Sequence, residues 1–236
     1  MTIDPGDHHR TTTTEVLLRC GMLAGPLFIV TFLIEGLARP DYNPLRHPVS
    51  SLALGPNGWI QMANFMVAGV LYLALATGVL LARREQTVGP RSGAILIGAV
   101  GVGLLGSGAF ITDPVSGYPP GTPDLLTSYT TSGALHDAFS VPVFLGLPAA
   151  AVTYAWWFLR HGNRGWAGYS LASGLAFLVA FGLTNTAFSQ APQLVDYGGL
   201  LQRTTITIGF TWLTLLAIHA HQAVTSHLTA RVAMST

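Results

Sequence analysis

The chain has 236 residues, half of them apolar and only 9% charged, with a formal net charge of +1. Soluble domains carry about 25% charged residues, so this balance excludes an ordinary soluble fold and points to an integral membrane protein. Near-zero net charge gives no basis for a nucleic-acid partner. The absence of Lys excludes Schiff-base chemistry, and the single Cys20 excludes an internal disulfide.

The polar N-terminus, residues 1–15, contains His8-His9 and a run of threonines. It has neither the basic start nor the apolar centre of a signal peptide, and reads as a disordered cytoplasmic tail. Cys20 reads as a small core residue of the first helix. Apolar segments then follow at 16–38, 59–82, 92–112, 133–159, 166–188 and 199–222. Each is long enough to cross a hydrocarbon core, which takes about 20 helical residues. The expected fold is all-α: a polytopic bundle of six transmembrane helices with a polar tail at 223–236. Pro142 and Pro148 should kink the fourth helix without splitting it.

Arginine placement sets the expected orientation. Arg10, Arg19, Arg83, Arg84, Arg91, Arg160, Arg164 and Arg231 fall on one side, and Arg39, Arg46 and Arg203 on the other. The positive-inside rule makes both termini cytoplasmic in a multi-pass cell-membrane protein, with loops 39–58, 113–132 and 189–198 outside.

That outer side gathers Glu35, Arg39, Asp41, Arg46, His47, Asp113, Asp124, His136, Asp137, Asp196 and Arg203. Ionisable residues at helix ends mark a functional site by default. Asp41, Asp124 and Asp196 read as loop charges that merely meet water. Glu35, Asp113, His136, Asp137 and Arg203 sit at or inside helix ends and read as a shared polar site. Each even helix opens alike, with Gly58-Trp-Ile-Gln61, Gly133-Ala-Leu-His136 and Gly199-Leu-Leu-Gln202. Three repeated hairpins would bring Gln61, His136 and Gln202 to one depth. Gln61 with Asn64, and His136 with Ser140, share helix faces. Asn185 lies near the outer end of helix five.

Gly21/Gly25 and Ala99/Gly103/Ser107 read as close helix packing. Trp59, Trp156, Trp157 and Trp166 read as interfacial anchors. Trp212 lies deeper and could line a pocket.

Gly25-Pro26-Leu-Phe, Arg46-His47-Pro48-Val49-Ser50 and the stretch from Gly58 to Phe65 resemble the bacterial six-helix membrane family known as domain of unknown function 998. Phe110-Ile-Thr-Asp113-Pro114 and Gly133-Ala-Leu-His136-Asp137 are similar to the second half of its pattern. The resemblance covers roughly residues 18–222 and implies six helices with polar outer motifs. It implies no activity.

Function is therefore argued from the residues. Glu35, Asp113 or Asp137 could serve as a general acid, with His136 or His47 as base. Arg46 and Arg203 could hold an anionic headgroup, and Gln61, Asn64, Asn185, Gln202 and Trp212 could complete a substrate site. Over an apolar, aromatic interior, the natural substrate is a lipid or isoprenoid-like amphiphile, with terpene-cyclase-like protonation as one form of the chemistry. Serine hydrolysis is disfavoured because no Gly-x-Ser-x-Gly occurs. No cofactor is expected. A zinc variant on His47, His136, Asp137 and Asp113 lacks helical ligand spacing, and a haem between His47 and His136 is weaker still. The alternative class is a transporter or lipid-binding protein whose outer charges form a structural ion-pair network. Membrane lipids and an amphiphilic small molecule are the expected partners.

Overall fold

A computed structural model describes the backbone of residues 5–82 and 88–235, and the side chains of 12–82 and 88–226. His8, His9, Arg10, Arg83, Arg84 and Arg231 lie outside the described side chains. Six long helices account for the chain: α1 Pro5–Ala38, α2 Gly58–Ala82, α3 Arg91–Ala109, α4 Thr131–Arg160, α5 Arg164–Phe188 and α6 Gly198–Ser235. Two short 3-10 helices, Val49–Ala53 and Val195–Tyr197, interrupt the connecting loops. Among the described residues there is no β-strand, only a single bridge between Val115 and Tyr118.

Five helices, α1 to α5, are long and apolar enough to cross a membrane by length and composition. The α6 helix is as long but more polar, carrying Gln202, Arg203, His219 and His221 among its apolar residues. It nonetheless packs as a full member of the bundle. The chain is thus a polytopic helical membrane protein. Its terminal helices reach beyond the expected limits, since α1 begins at Pro5 instead of 16 and α6 continues to Ser235 instead of 222. Pro142 and Pro148 both lie within one continuous α4. Proline removes a donor but leaves the flanking turns intact where neighbours support them.

Each helix packs against its sequence neighbours, and α6 closes the ring against α1. Glycines permit the closest approaches. A side chain at Gly25 would strike the Phe210 carbonyl of α6, and one at Gly103 the Phe139 carbonyl of α4. Those small-residue positions are packing surfaces, as expected. Down the axis runs an aromatic column in which Phe28 meets Phe32, Phe65 and Phe210, and Phe210 meets Tyr72. The tryptophans divide. Trp59 and Trp156 are exposed, with the Arg160 guanidinium over the Trp156 ring. Trp157 and Trp166 instead pack partly against the core.

The long loops 39–57, 110–130 and 189–197 meet at the end opposite the termini, called the distal end below. Each even helix begins there with the glycine of the repeated motif, and the structure gives the reason. A side chain at Gly58 would strike the Ala53 carbonyl, at Gly133 the Asp113 carboxylate, and at Gly199 the His47 and Pro44 carbonyls. In each hairpin a loop lies directly on the first turn of the even helix, and only glycine leaves room for it.

Candidate functional site

The loop 39–57 does not stay at the surface. Val49, Ser51, Leu52, Ala53 and Leu54 are buried, so the Val49–Ala53 turn plugs the distal end of the ring. Its carbonyls must find donors away from water, and two arginines supply them. Arg39 donates to the carbonyls of Leu52 and Leu54 and pairs with Glu35 at 2.9 Å, both side chains only 7% exposed. Arg203 donates to the carbonyls of Pro44, His47 and Gly199 and to the Tyr42 hydroxyl. Its guanidinium also lies over the Phe32 and Tyr42 rings. Tyr42 in turn donates to the His47 and Pro48 carbonyls. Burial pushes its phenol up to about 12, against the pull of Arg203, so it remains a donor.

His47 belongs to this plug. Its Nδ1 accepts from the Asn43 amide at 2.9 Å, and its ring packs against Tyr42 and Tyr118. Burial, with the nearby Arg46 and Arg203 charges, lowers its pKa. Arg46 binds the three loops together, reaching Asp124 and Asp196 at 2.8 Å each and the Ser116 carbonyl at 3.3 Å. Asp124 and Asp196 are therefore ion-paired, which corrects their reading as charges that merely meet water.

Asp113 is buried and fully employed. Its two oxygens accept from the amide and hydroxyl of Thr130, whose hydroxyl caps α4 by accepting from the Gly133 amide. Gln61 accepts from Asn64, which also donates to the Phe28 carbonyl; both are buried beside the core and outside the cavity described next. Trp212 donates to Ser170 far down the bundle, where it borders only a minor void against Phe177. Asn185 faces outward on α5 and bonds back to the Phe181 carbonyl. Glu35, Asp113, Arg46, His47, Arg203, Gln61, Asn64, Asn185 and Trp212 thus hold the structure, and they do not converge on one pocket.

What remains is a cavity of about 120 Å³ beneath the plug, at the depth of the first turns of α4 and α6. Phe28, Phe65, Phe144 and Phe210 form much of its wall. Its polar groups come from Ser50, His136, Asp137 and Gln202, with Ser107 and Ser140 behind. The Gln202 Oε1 accepts from the Val49 amide at 2.7 Å, which leaves the amide nitrogen of that side chain as a donor.

His136 is held in one tautomer. Its Nδ1 lies 2.9 Å from the Ser107 carbonyl and 3.0 Å from the Phe110 carbonyl. Carbonyls only accept, so Nδ1 carries the proton and donates it to both. Nε2 makes no hydrogen bond with any described protein group, and it is the ring nitrogen left to exchange a proton. Ser140 donates to the His136 carbonyl and accepts from Ser107, fixing the same turn. The Phe65 ring meets the imidazole edge-on.

Asp137 also lines the cavity, and its carboxylate engages no described side chain or backbone group. It is exposed, on the side of α4 that turns towards α5. Two turns further along that face Phe144 stacks on Phe181 of α5, yet α5 contributes no residue to the cavity wall. Asp137 is the exposed residue of the lining, so the cavity opens beside it. His136 and Gln202 share the site as the repeated motif predicts, while Gln61 from the first hairpin does not join them. Ser50 and Phe144 went unassigned in the sequence because a loop residue and one phenylalanine among many carry no local signal. Among the described residues no three His, Cys, Asp or Glu side chains gather as metal ligands.

A ring of six helices, plugged at one end by a clamped loop over a small aromatic cavity, defines the class: a polytopic helical membrane protein with a polar-edged cavity near one end of the bundle. The chain belongs to the family described as "Protein of unknown function (DUF998)", whose profile matches residues 22–219. Neither a curated protein nor a solved structure matches it.

Proposed function

We propose that this protein is an integral membrane enzyme performing acid–base chemistry on an amphiphilic, lipid- or isoprenoid-like substrate in the His136 cavity. The observation that carries this reading is the fixed tautomer of His136. An imidazole pinned at Nδ1 by two carbonyls, with Nε2 unengaged in an apolar cavity, is poised to take and return a proton. Asp137, the next residue along the chain and likewise unengaged by described groups, supplies a carboxylate beside it. Gln202 and Ser50 offer hydrogen bonds to a polar head, and the phenylalanine wall suits an apolar or cationic centre.

The opening beside Asp137 suits a substrate arriving sideways from the bilayer. By the positive-inside rule the termini lie in the cytoplasm and the cavity end outside, in the cell membrane. In the alternative, the cavity holds an amphiphile without converting it; the plug favours this by barring passage through the distal end.

One experiment separates the two. The protein in nanodiscs is incubated with extracted membrane lipids in deuterium oxide, and the lipids are analysed by mass spectrometry. Conversion of a lipid, or deuterium fixed on its carbon skeleton, absent with His136→Asn, supports the enzyme. Retention of an amphiphile with neither change establishes a binding protein instead.

A further inference from the structure

We infer that the cavity recognises an amphiphile bearing a positive charge, such as an alkylammonium head, and discriminates against phosphate, sulfate and carboxylate heads. This rests on the reading of the cavity as an amphiphile site and adds the charge of its occupant.

The inference follows from where the cations of the distal end are committed. Arg39 is bound to Glu35 and two carbonyls, Arg203 to three carbonyls and Tyr42, and Arg46 to Asp124 and Asp196. Among the described residues no arginine lines the cavity. An anionic head would find there only the Gln202 amide, a serine hydroxyl and a repelling carboxylate. Asp137, six residues into α4, is the cavity's formal charge, and among the described residues it has no ion-pair partner. An intramembrane carboxylate ordinarily has a partner. Among the described residues the neighbouring His136 offsets its charge without forming an ion pair, and a ligand's cationic head would supply that pair.

The wall points the same way. Phe28, Phe65, Phe144 and Phe210 surround a space whose rim carries the carboxylate, and aromatic walls attract cations through their ring quadrupoles. A volume of about 120 Å³ accommodates a compact head and its first carbons. The rest of a chain would leave through the mouth beside Asp137 into the bilayer.

The test uses the full chain in maltoside micelles and three ligands of equal chain length: decyltrimethylammonium, decanol and decyl sulfate. Native mass spectrometry reads their binding. The expected result is at least tenfold tighter binding of the ammonium than of either other ligand. Asp137→Asn should lower ammonium binding to within threefold of decanol binding by the same variant, and Asp137→Glu should keep the preference. Equal binding of all three, a preference for the sulfate, or a preference that survives in Asp137→Asn overturns the inference. Ammonium selectivity without any lipid conversion in deuterium oxide upholds it and removes the enzyme reading. Failure of all three ligands to bind removes both.

Discussion

The plug and the cavity lie one beneath the other, yet they differ in what their polar side chains touch. In the plug, Arg39, Arg203, Tyr42 and His47 all have partners, mostly backbone carbonyls of the loop they hold. In the cavity, His136 uses one nitrogen and Asp137 no oxygen in contacts with described groups. A buried polar group costs free energy unless it is bonded, so the contacts of the plug are explained by stability, although Glu35 Oε2, Ser51 Oγ and Arg203 Nε stay buried without a partner among the described residues. His136 Nε2 and the Asp137 carboxylate instead border a cavity where a ligand can meet them.

Four changes would break or sharpen this contrast. The largest is Arg203→Gln, which strips donors from three loop and helix carbonyls at once. It should cost about 3–5 kcal/mol, the range for dismantling a buried charged network, and appear as a much lower Tm in detergent. Were Arg203→Gln to melt like the parent but lose ligand, the division between plug and cavity would be wrong. His136→Asn should do the opposite. Its amide can still donate to the Ser107 and Phe110 carbonyls, so stability should change little. Lipid conversion should fall by about 100-fold or more, as loss of a general base requires.

His47 gives a pH test. Its pKa is lowered in the folded protein by burial and by Arg46 and Arg203, so the unfolded chain binds the proton more readily. Stability is then fully present above the ordinary histidine range and is lost as pH falls through the lowered folded value. Protonation at Nδ1 would also break the bond from the Asn43 amide. Thermal melts from pH 7.5 to 5 should show Tm falling, with a shallower fall in His47→Gln. The smallest effect belongs to Arg46→Ala. Its partners Asp124 and Asp196 are 58% and 72% exposed, so loss of both pairs should cost about 1 kcal/mol or less and shrink further in high salt. A larger loss would make the three-loop staple as structural as the plug.

Much of the fold was legible because apolar length is a one-dimensional property. The six segments, the two prolines within α4 and the small residues at helix contacts all follow from composition and spacing. The helix ends did not, since Thr11 to Thr14 and the polar stretch after Gln222 look like tails yet continue α1 and α6. The Gly-x-x-Gln/His repeat was visible, but its glycine proved to be a seat for a distal loop, the preceding one at Gly58 and Gly133 and loop 39–57 at Gly199. Its Gln/His position reached the cavity in two hairpins of three. Arg46 and Arg203 looked like headgroup ligands because a sequence shows a charge without its partners. Those partners are carbonyls and carboxylates up to 159 positions away.

By itself the sequence determined that this is a helical membrane protein and which end of it concentrates chemical capacity, because hydropathy and charge act residue by residue along the chain. Only the tertiary structure decided which of those polar residues are occupied in holding a loop and which stand free in a cavity. Hydrogen bonding and burial depend on groups that meet in space, and His136 and Asp137 are distinguished from Asp113 and His47 by nothing else.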